Sequence, residues 1–130
     1  MKTRYTVVLS MIAGAALGGA AIQGLHAQAK PPAYLVIEIN KVTDAEGFKA
    51  ITQRPRGGAD VAKELGGRYI ARTDKITALG GTAPERFIAY EFDSVEKAEA
   101  FNNSSYMKEV NAIRGKTTQA RSFIVEGVPQ

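Results

Sequence analysis

"RFIAYEFDSVEKAEAFNN", Arg86–Asn103, decides the fold. Its first seven residues alternate and are rich in aromatic and β-branched side chains, the composition of a half-buried strand. Ile88, Tyr90 and Phe92 share one face, and Phe87, Ala89 and Glu91 share the other. Then the period changes. Asp93 or Ser94 can cap a helix, and Val95, Ala98 and Phe101 follow on one helical stripe. A strand that runs straight into a helix implies a crossover to another strand of the same sheet.

The same pattern recurs upstream. "AYLVIEIN", Ala33–Asn40, reads as a strand with Leu35, Ile37 and Ile39 on one face and Tyr34, Val36 and Glu38 on the other. "TDAE", Thr43–Glu46, fits a capping box with Thr43 as the cap, and Phe48 and Ile51 follow on one helical face. Pro55 and Gly57-Gly58 divide this helical region. "ADVAKELGG" resumes it with Val61, Ala62 and Leu65 apolar, and stops at Gly66-Gly67. "RYIARTDKITALGG", Arg68–Gly81, reads as a long strand with an irregularity at Thr73-Asp74, followed by a loop to Glu85.

Downstream, Asn102-Asn103-Ser104-Ser105 interrupts the second helical region, and Ser104 or Ser105 caps its second piece. Tyr106, Val110 and Ile113 are expected to face inward from that piece. "ARSFIVEGV", Ala120–Val128, closes the chain as a strand. The order is β-α-β-β-α-β. Right-handed crossovers then give an α+β, ferredoxin-like sandwich, with a four-stranded antiparallel sheet in the order 4-1-3-2 and both helical regions on one face. No helix can cover the opposite face, which bears Tyr34, Val36, Phe87 and Ala89. A contiguous apolar patch of this kind marks it as the expected homodimer interface.

The N-terminus carries a different signal. Met1–Tyr5 holds Lys2 and Arg4, and no further charge occurs before Lys30. The apolar run between them ends in Ala27-Gln28-Ala29. Positive start, apolar run and small residues together describe a secretory signal peptide over 1–29, cut after Ala29. Lys30-Pro31-Pro32 is then a stiff linker, and 33–128 is the domain. The expected location is exported, either periplasmic or secreted, with no membrane association once the signal is removed.

Cleavage would carry away His26, the only histidine, and the chain has no cysteine. Histidine acid–base chemistry, a thiol nucleophile, nitrogen- or sulfur-ligated zinc and disulfides are then all excluded. Neither a metal nor a cofactor is expected. Removing Lys2 and Arg4 from 17 basic residues, against 13 acidic ones, leaves the mature chain at +2. It has no dense basic stripe, so nucleic acid is not an expected partner.

"GGRYIARTD", "RFIAYEFDSVEKAEAFNNSSYMKEVNAIR" and "SFIVEGV" together resemble the DUF1330 family of the dimeric α/β-barrel superfamily, over Ala33–Val128. Two positions depart from the family pattern. It usually has Trp where this chain has Phe101, and commonly Pro where this chain has Ser105. The resemblance implies two sheets packed face to face in a dimer, and it implies no agreed activity.

Several residues could carry chemistry. Alternation puts Glu38 and Glu91 on one sheet face and on neighbouring strands. Two close carboxylates could form an acid–base couple; alternatively, Arg68, Arg72 or Arg121 neutralises them in an interface network. Tyr34, Tyr69, Tyr90, Tyr106 and Phe101 could line an apolar pocket or simply fill the core. Arg72, Tyr90, Phe101, Asn103, Tyr106 and Arg114 are the ligand-binding candidates, for a small apolar or anionic ligand. Arg114 could bind an anion, or satisfy the last carbonyls of its helix. The expected function is a homodimeric small-molecule-binding module. The alternative is a metal-free enzyme, monooxygenase- or isomerase-like, that uses carboxylate, Tyr and Arg side chains.

Overall fold

The computed structural model describes residues 30–129, and the signal-peptide reading lies outside them. Strand β1 spans Ala33–Val42, helix α1 Ala45–Thr52, helix α2 Gly58–Glu64 and strand β2 Gly67–Thr73. Strand β3 spans Arg86–Phe92, helix α3 Val95–Asn102, helix α4 Ser105–Thr117 and strand β4 Thr118–Glu126. The four strands form one antiparallel sheet in the order β2-β3-β1-β4, the expected order read from the other edge. This is the ferredoxin-like arrangement. No described helix is long and apolar enough to cross a membrane.

Strand alternation sorts the side chains as the sequence implies. Leu35, Ile37 and Ile39 of β1 are buried, while Tyr34, Val36 and Glu38 are only partly so. All four helices feed one core against that inner face: Phe48 from α1, Val61 and Ala62 from α2, Ala98 and Phe101 from α3, Met107 and Val110 from α4. Phe92 and Phe101 sit at its centre with ring centroids 5.3 Å apart. Burying each such ring contributes about 1.5–3 kcal/mol.

Three local expectations need correction. Asp44, not Thr43, caps α1, accepting from the Gly47 amide at 3.0 Å. Strand β2 ends at Thr73 rather than near Gly81. Its only neighbour is β3, and Thr73 pairs with Phe87, one residue from the start of that strand at Arg86. Beyond that point no partner remains for the backbone groups, and Thr73 Oγ1 accepts from the Lys75 amide at 2.9 Å to turn the chain away. The inward stripe of α4 is Met107, Val110, Arg114 and Thr117; Tyr106 and Ile113 are half-buried beside it.

The break between α3 and α4 is held by one hydroxyl. Ser104 Oγ donates to the Phe101 carbonyl at 2.6 Å and accepts from the Met107 amide at 3.3 Å. It therefore closes one helix and opens the next. Gly67 serves another purpose: a Cβ there would lie 2.2 Å from the ring of buried Phe92, so only glycine lets β2 begin so close to the core.

Candidate functional site

The sheet brings Glu38 and Glu91 to one face but does not bring them together. Glu38 sits opposite Phe87, and Glu91 sits opposite Tyr34, so four residues of strand separate them. At the rise of an extended chain that is roughly 13 Å. Each has its own cation. Arg121 Nε donates to Glu38 Oε2 at 2.5 Å, and Arg68 Nη2 donates to Glu91 Oε1 at 3.0 Å. An arginine network on this face was one of the two readings of the sequence, and this is the one the geometry has. The acid–base couple lacks the proximity it needs.

Arg72 does not join that network. A register shift between Tyr69 and Ala71 makes Ile70 the extra residue of β2. Arg68 and Ala71 stay opposite Glu91 and Ala89 on the open face, whereas Tyr69 and Arg72 stand opposite Tyr90 and Ile88 on the helix side. There the Arg72 guanidinium lies over the Tyr69 ring, 5.4 Å from its centroid.

The helix side holds a compact group of phenols and cations. Tyr69 and Tyr90 stack with centroids 4.4 Å apart, and the Tyr90 hydroxyl donates to the Tyr69 hydroxyl at 2.9 Å. Gly58 lies directly above the two hydroxyls: a Cβ there would meet Tyr90 Oη at 2.3 Å and Tyr69 Oη at 2.8 Å. Tyr90 also packs on Phe101, centroid to centroid 4.8 Å. Tyr90 and Phe101 are buried against each other, so the apolar pocket that aromatics could have lined is filled by the aromatics themselves. Tyr34 is not part of the group, because it lies on the open face.

Tyr106 carries the Arg54 guanidinium over its ring at 5.3 Å. Arg114 lies within electrostatic reach of Tyr90, Tyr106 and Tyr69. It is only 7 % exposed. Its Nη1 donates to Asn111 Oδ1 at 2.6 Å, and Asn111 Nδ2 donates in turn to Asn102 Oδ1 at 3.2 Å. Its Nε is buried with no hydrogen-bond partner. Arg114 therefore does not act as an end cap for the α4 carbonyls; the Thr117 and Thr118 hydroxyls take two of these, from Ile113 and Arg114. Asn103 is exposed and serves as the C-cap of α3 through its backbone, while Asn102 and Asn111, next to the group, were not among the ligand-binding candidates.

Burial governs the protonation of this group. It pushes the Tyr90 phenol well above the ordinary tyrosine value, helped by the hydrogen bond with Tyr69. Tyr106 is raised too, first by burial and then by Tyr69, with Arg54, Arg114 and Arg72 opposing. Desolvation lowers Arg114, and the phenols offset part of that. Such phenols hold their protons at neutral pH and offer donors rather than bases.

A stability consequence follows from the Tyr90 shift. The unfolded chain gives up this proton near pH 10, and the folded chain keeps it beyond that. The native state then holds more protons, so stability is unaffected by this group below about pH 10 and falls as pH rises past it. The urea midpoint of the wild type should drop more steeply on the alkaline side than that of Tyr90→Phe. Equal alkaline slopes would contradict the burial assigned here.

Two cavities border the group. The larger, about 770 Å3, lies between α1, the 53–56 turn and α4, with Arg54, Val61, Tyr106 and Glu109 on its walls. Its charges are matched internally: Lys49 with Glu46 at 2.8 Å, Arg54 with Glu109 at 2.5 Å, and Arg56 with Glu64. The smaller, about 440 Å3, is lined by Asn102, Asn111, Arg114, Thr118, Arg121 and Ser122. Only this second cavity borders a buried cation with no carboxylate partner among the described residues, and it is the better candidate site.

Residues 32–128 match the family described as a domain of unknown function, DUF1330. The chain belongs to the DUF1330 family. None of the curated proteins matches it. Among solved structures, a protein of unknown function from Rhodopseudomonas palustris is similar at 14% identity, covering 82% of this chain and 94% of that one, with a TM-score of 0.57. A "Putative antibiotic biosynthesis monooxygenase" from Nitrosomonas europaea is similar at 13% identity, covering 76% and 92%, with a TM-score of 0.50. A protein from Bacteroides fragilis, described as dimeric and ferredoxin-like, matches at 10% identity over 73% and 95%, with a TM-score of 0.45. The first two likenesses are of fold. The two departures from the DUF1330 pattern leave the helix break intact. Ser105 is the first residue of α4, a position where proline and serine are both tolerated. Phe101 fills its place at 0 % exposure without the larger indole.

Proposed function

We propose that this DUF1330 protein is an exported, homodimeric module that binds a small molecule in the cavity beside Arg114. One observation carries the binding reading. Arg114 is buried without a carboxylate, with Nε unpartnered, at the wall of a cavity of about 440 Å3. An uncompensated buried cation is costly, and such groups concentrate where a ligand completes them. The volume suits a small ligand. The enzymatic alternative is weaker, because Glu38 and Glu91 are separated and each is held by an arginine.

Dimerisation is supported by the uncovered sheet face. Phe123 lies opposite Val36, and Val125 opposite Tyr34, so β4 extends the apolar patch. Phe123 is 39% exposed and Val125 43%. The Glu38–Arg121 and Glu91–Arg68 pairs neutralise the carboxylates on the same face, which makes its burial against a second copy affordable. Export rests on Lys2, Arg4, the apolar run and Ala27-Gln28-Ala29.

A thermal-shift screen of small acids and phenols tests the binding reading. A saturable rise in melting temperature that disappears in Arg114→Gln supports it, and a uniformly flat screen refutes it. N-terminal sequencing of the exported protein should begin at Lys30. Retention of Met1 in a membrane fraction would refute cleavage.

A further inference from the structure

We propose that the cavity beside Arg114 receives a small polar monocarboxylate of the hydroxy-acid class, held by the Nε edge of the Arg114 guanidinium. The inference rests on the binding reading above and names its ligand chemistry.

The geometry of the arginine comes first. Nη1 is already committed to Asn111, and Asn111 is fixed by Asn102. This chain of amides sets the plane of the guanidinium. The edge left over carries Nε, whose N–H is buried and unpartnered. That edge of a guanidinium presents two parallel N–H bonds, the geometry that a carboxylate accepts with both oxygens.

Charge decides between anions. Among the described residues the carboxylates of the ion pairs are taken elsewhere: Glu38 by Arg121, Glu91 by Arg68, Glu109 by Arg54 and Glu64 by Arg56. None reaches Arg114. The only other cation on the cavity wall is Arg121, and its Nε is engaged by Glu38. One unpaired positive charge therefore waits for one negative charge. A phosphate dianion would call for a second free cation, which this wall does not supply.

The rest of the ligand follows from the wall. Asn102, Asn111, Thr118, Gln119 and Ser122 present amides and hydroxyls, not hydrocarbon. Groups of this kind select hydroxyls on the ligand and leave an apolar body poorly matched. The aromatic residues nearby are packed on one another and do not line this cavity.

Titration calorimetry on the chain from Lys30 onward tests the inference, with lactate and glycerate as probes, lactamide as the neutral isostere of lactate, and inorganic phosphate as the competing anion. Lactate or glycerate should bind, and lactamide and phosphate should bind at least about tenfold more weakly, the loss expected for one charge-assisted hydrogen bond. Arg114→Lys keeps the charge but loses the fork, and should weaken the acid by a similar factor. Asn111→Asp is the second variant. It places a carboxylate next to Nη1, so it should neutralise Arg114 from within and abolish binding of the acid while the fold is retained.

Equal binding of lactate and lactamide overturns the carboxylate assignment, as does unchanged binding of lactate in Asn111→Asp, or phosphate binding more tightly than either acid. Silence from both acids overturns it too. The wider thermal-shift screen then separates the two levels: a hit among neutral compounds preserves the binding reading and removes only the acid.

Discussion

Val36→Asp is expected to convert the proposed dimer into a monomer at micromolar concentration, with the fold unchanged. Val36 is at the middle of the uncovered face, opposite Ala89 on one side and Phe123 on the other. It is only half-buried in the single chain, so a carboxylate there remains solvated and the fold tolerates it. In a dimer closed through this face the same carboxylate loses its water. A twofold interface places two of them in one contact. At about 3 kcal/mol for each uncompensated ion, an effective cost after relaxation, the two weaken association by roughly 10⁴-fold. Arg68 and Arg121 could offset this only by releasing Glu91 and Glu38, which would then be unpaired in turn. Val36→Leu adds one methylene of the same character and should leave the dimer intact. Analytical ultracentrifugation reads the outcome: a wild-type protein sedimenting as a monomer, or a Val36→Asp variant sedimenting as a dimer, removes this face as the interface.

The same residues show what the sequence could convey and where it stopped. Alternation at Leu35, Ile37 and Ile39, and again at Tyr90 and Phe92, separated the two faces of the sheet, because period 2 is a local property. The strand order followed from the crossover rule and needed no long-range information. Register did not follow. Whether Glu38 meets Glu91 depends on how β1 slides along β3, and four residues of offset keep them apart although their faces agree. The bulge at Ile70 was equally silent: it leaves the composition of β2 unchanged, yet it sends Arg72 to the opposite face from Arg68. Strand β2 stopped at Thr73 for want of a neighbour, and a neighbour is a tertiary fact.

Arg114 was readable in principle. Met107, Val110, Arg114 and Thr117 follow one another at intervals of three or four residues, the signature of a buried stripe. The charge obscured it. A basic residue in the last turn of a helix fits the macrodipole so readily that the apolar stripe was drawn through Tyr106 and Ile113 instead. Asn102 and Asn111 give no periodic signal at all, and only their contact across the α3–α4 break reveals them.

Arg114→Met should raise the stability of the ligand-free protein, by about 1–2 kcal/mol, within the range found when buried charges give way to apolar side chains of similar volume. The wild-type fold bears the desolvation of a guanidinium that no carboxylate compensates. Methionine is also long and unbranched, has a comparable helix propensity, and would continue the stripe of Met107 and Val110. The opposing loss is the hydrogen bond to Asn111, worth about 1.5–3 kcal/mol for a charged donor. Asn111 is only partly buried and keeps its bond to Asn102, so water can take the freed Oδ1. The relief of several kcal/mol for a buried ion exceeds that loss. For a domain of this size each kcal/mol moves the melting temperature by about 4–8 °C, so the gain is measurable. The urea midpoint should rise with no change in slope, since the surface exposed on unfolding hardly differs. A side chain kept only to hold the fold together would behave in the opposite way, and a loss of stability in Arg114→Met would place Arg114 in that class. A gain means that the arginine is retained at the expense of the fold, which is the mark of a residue kept for what it binds.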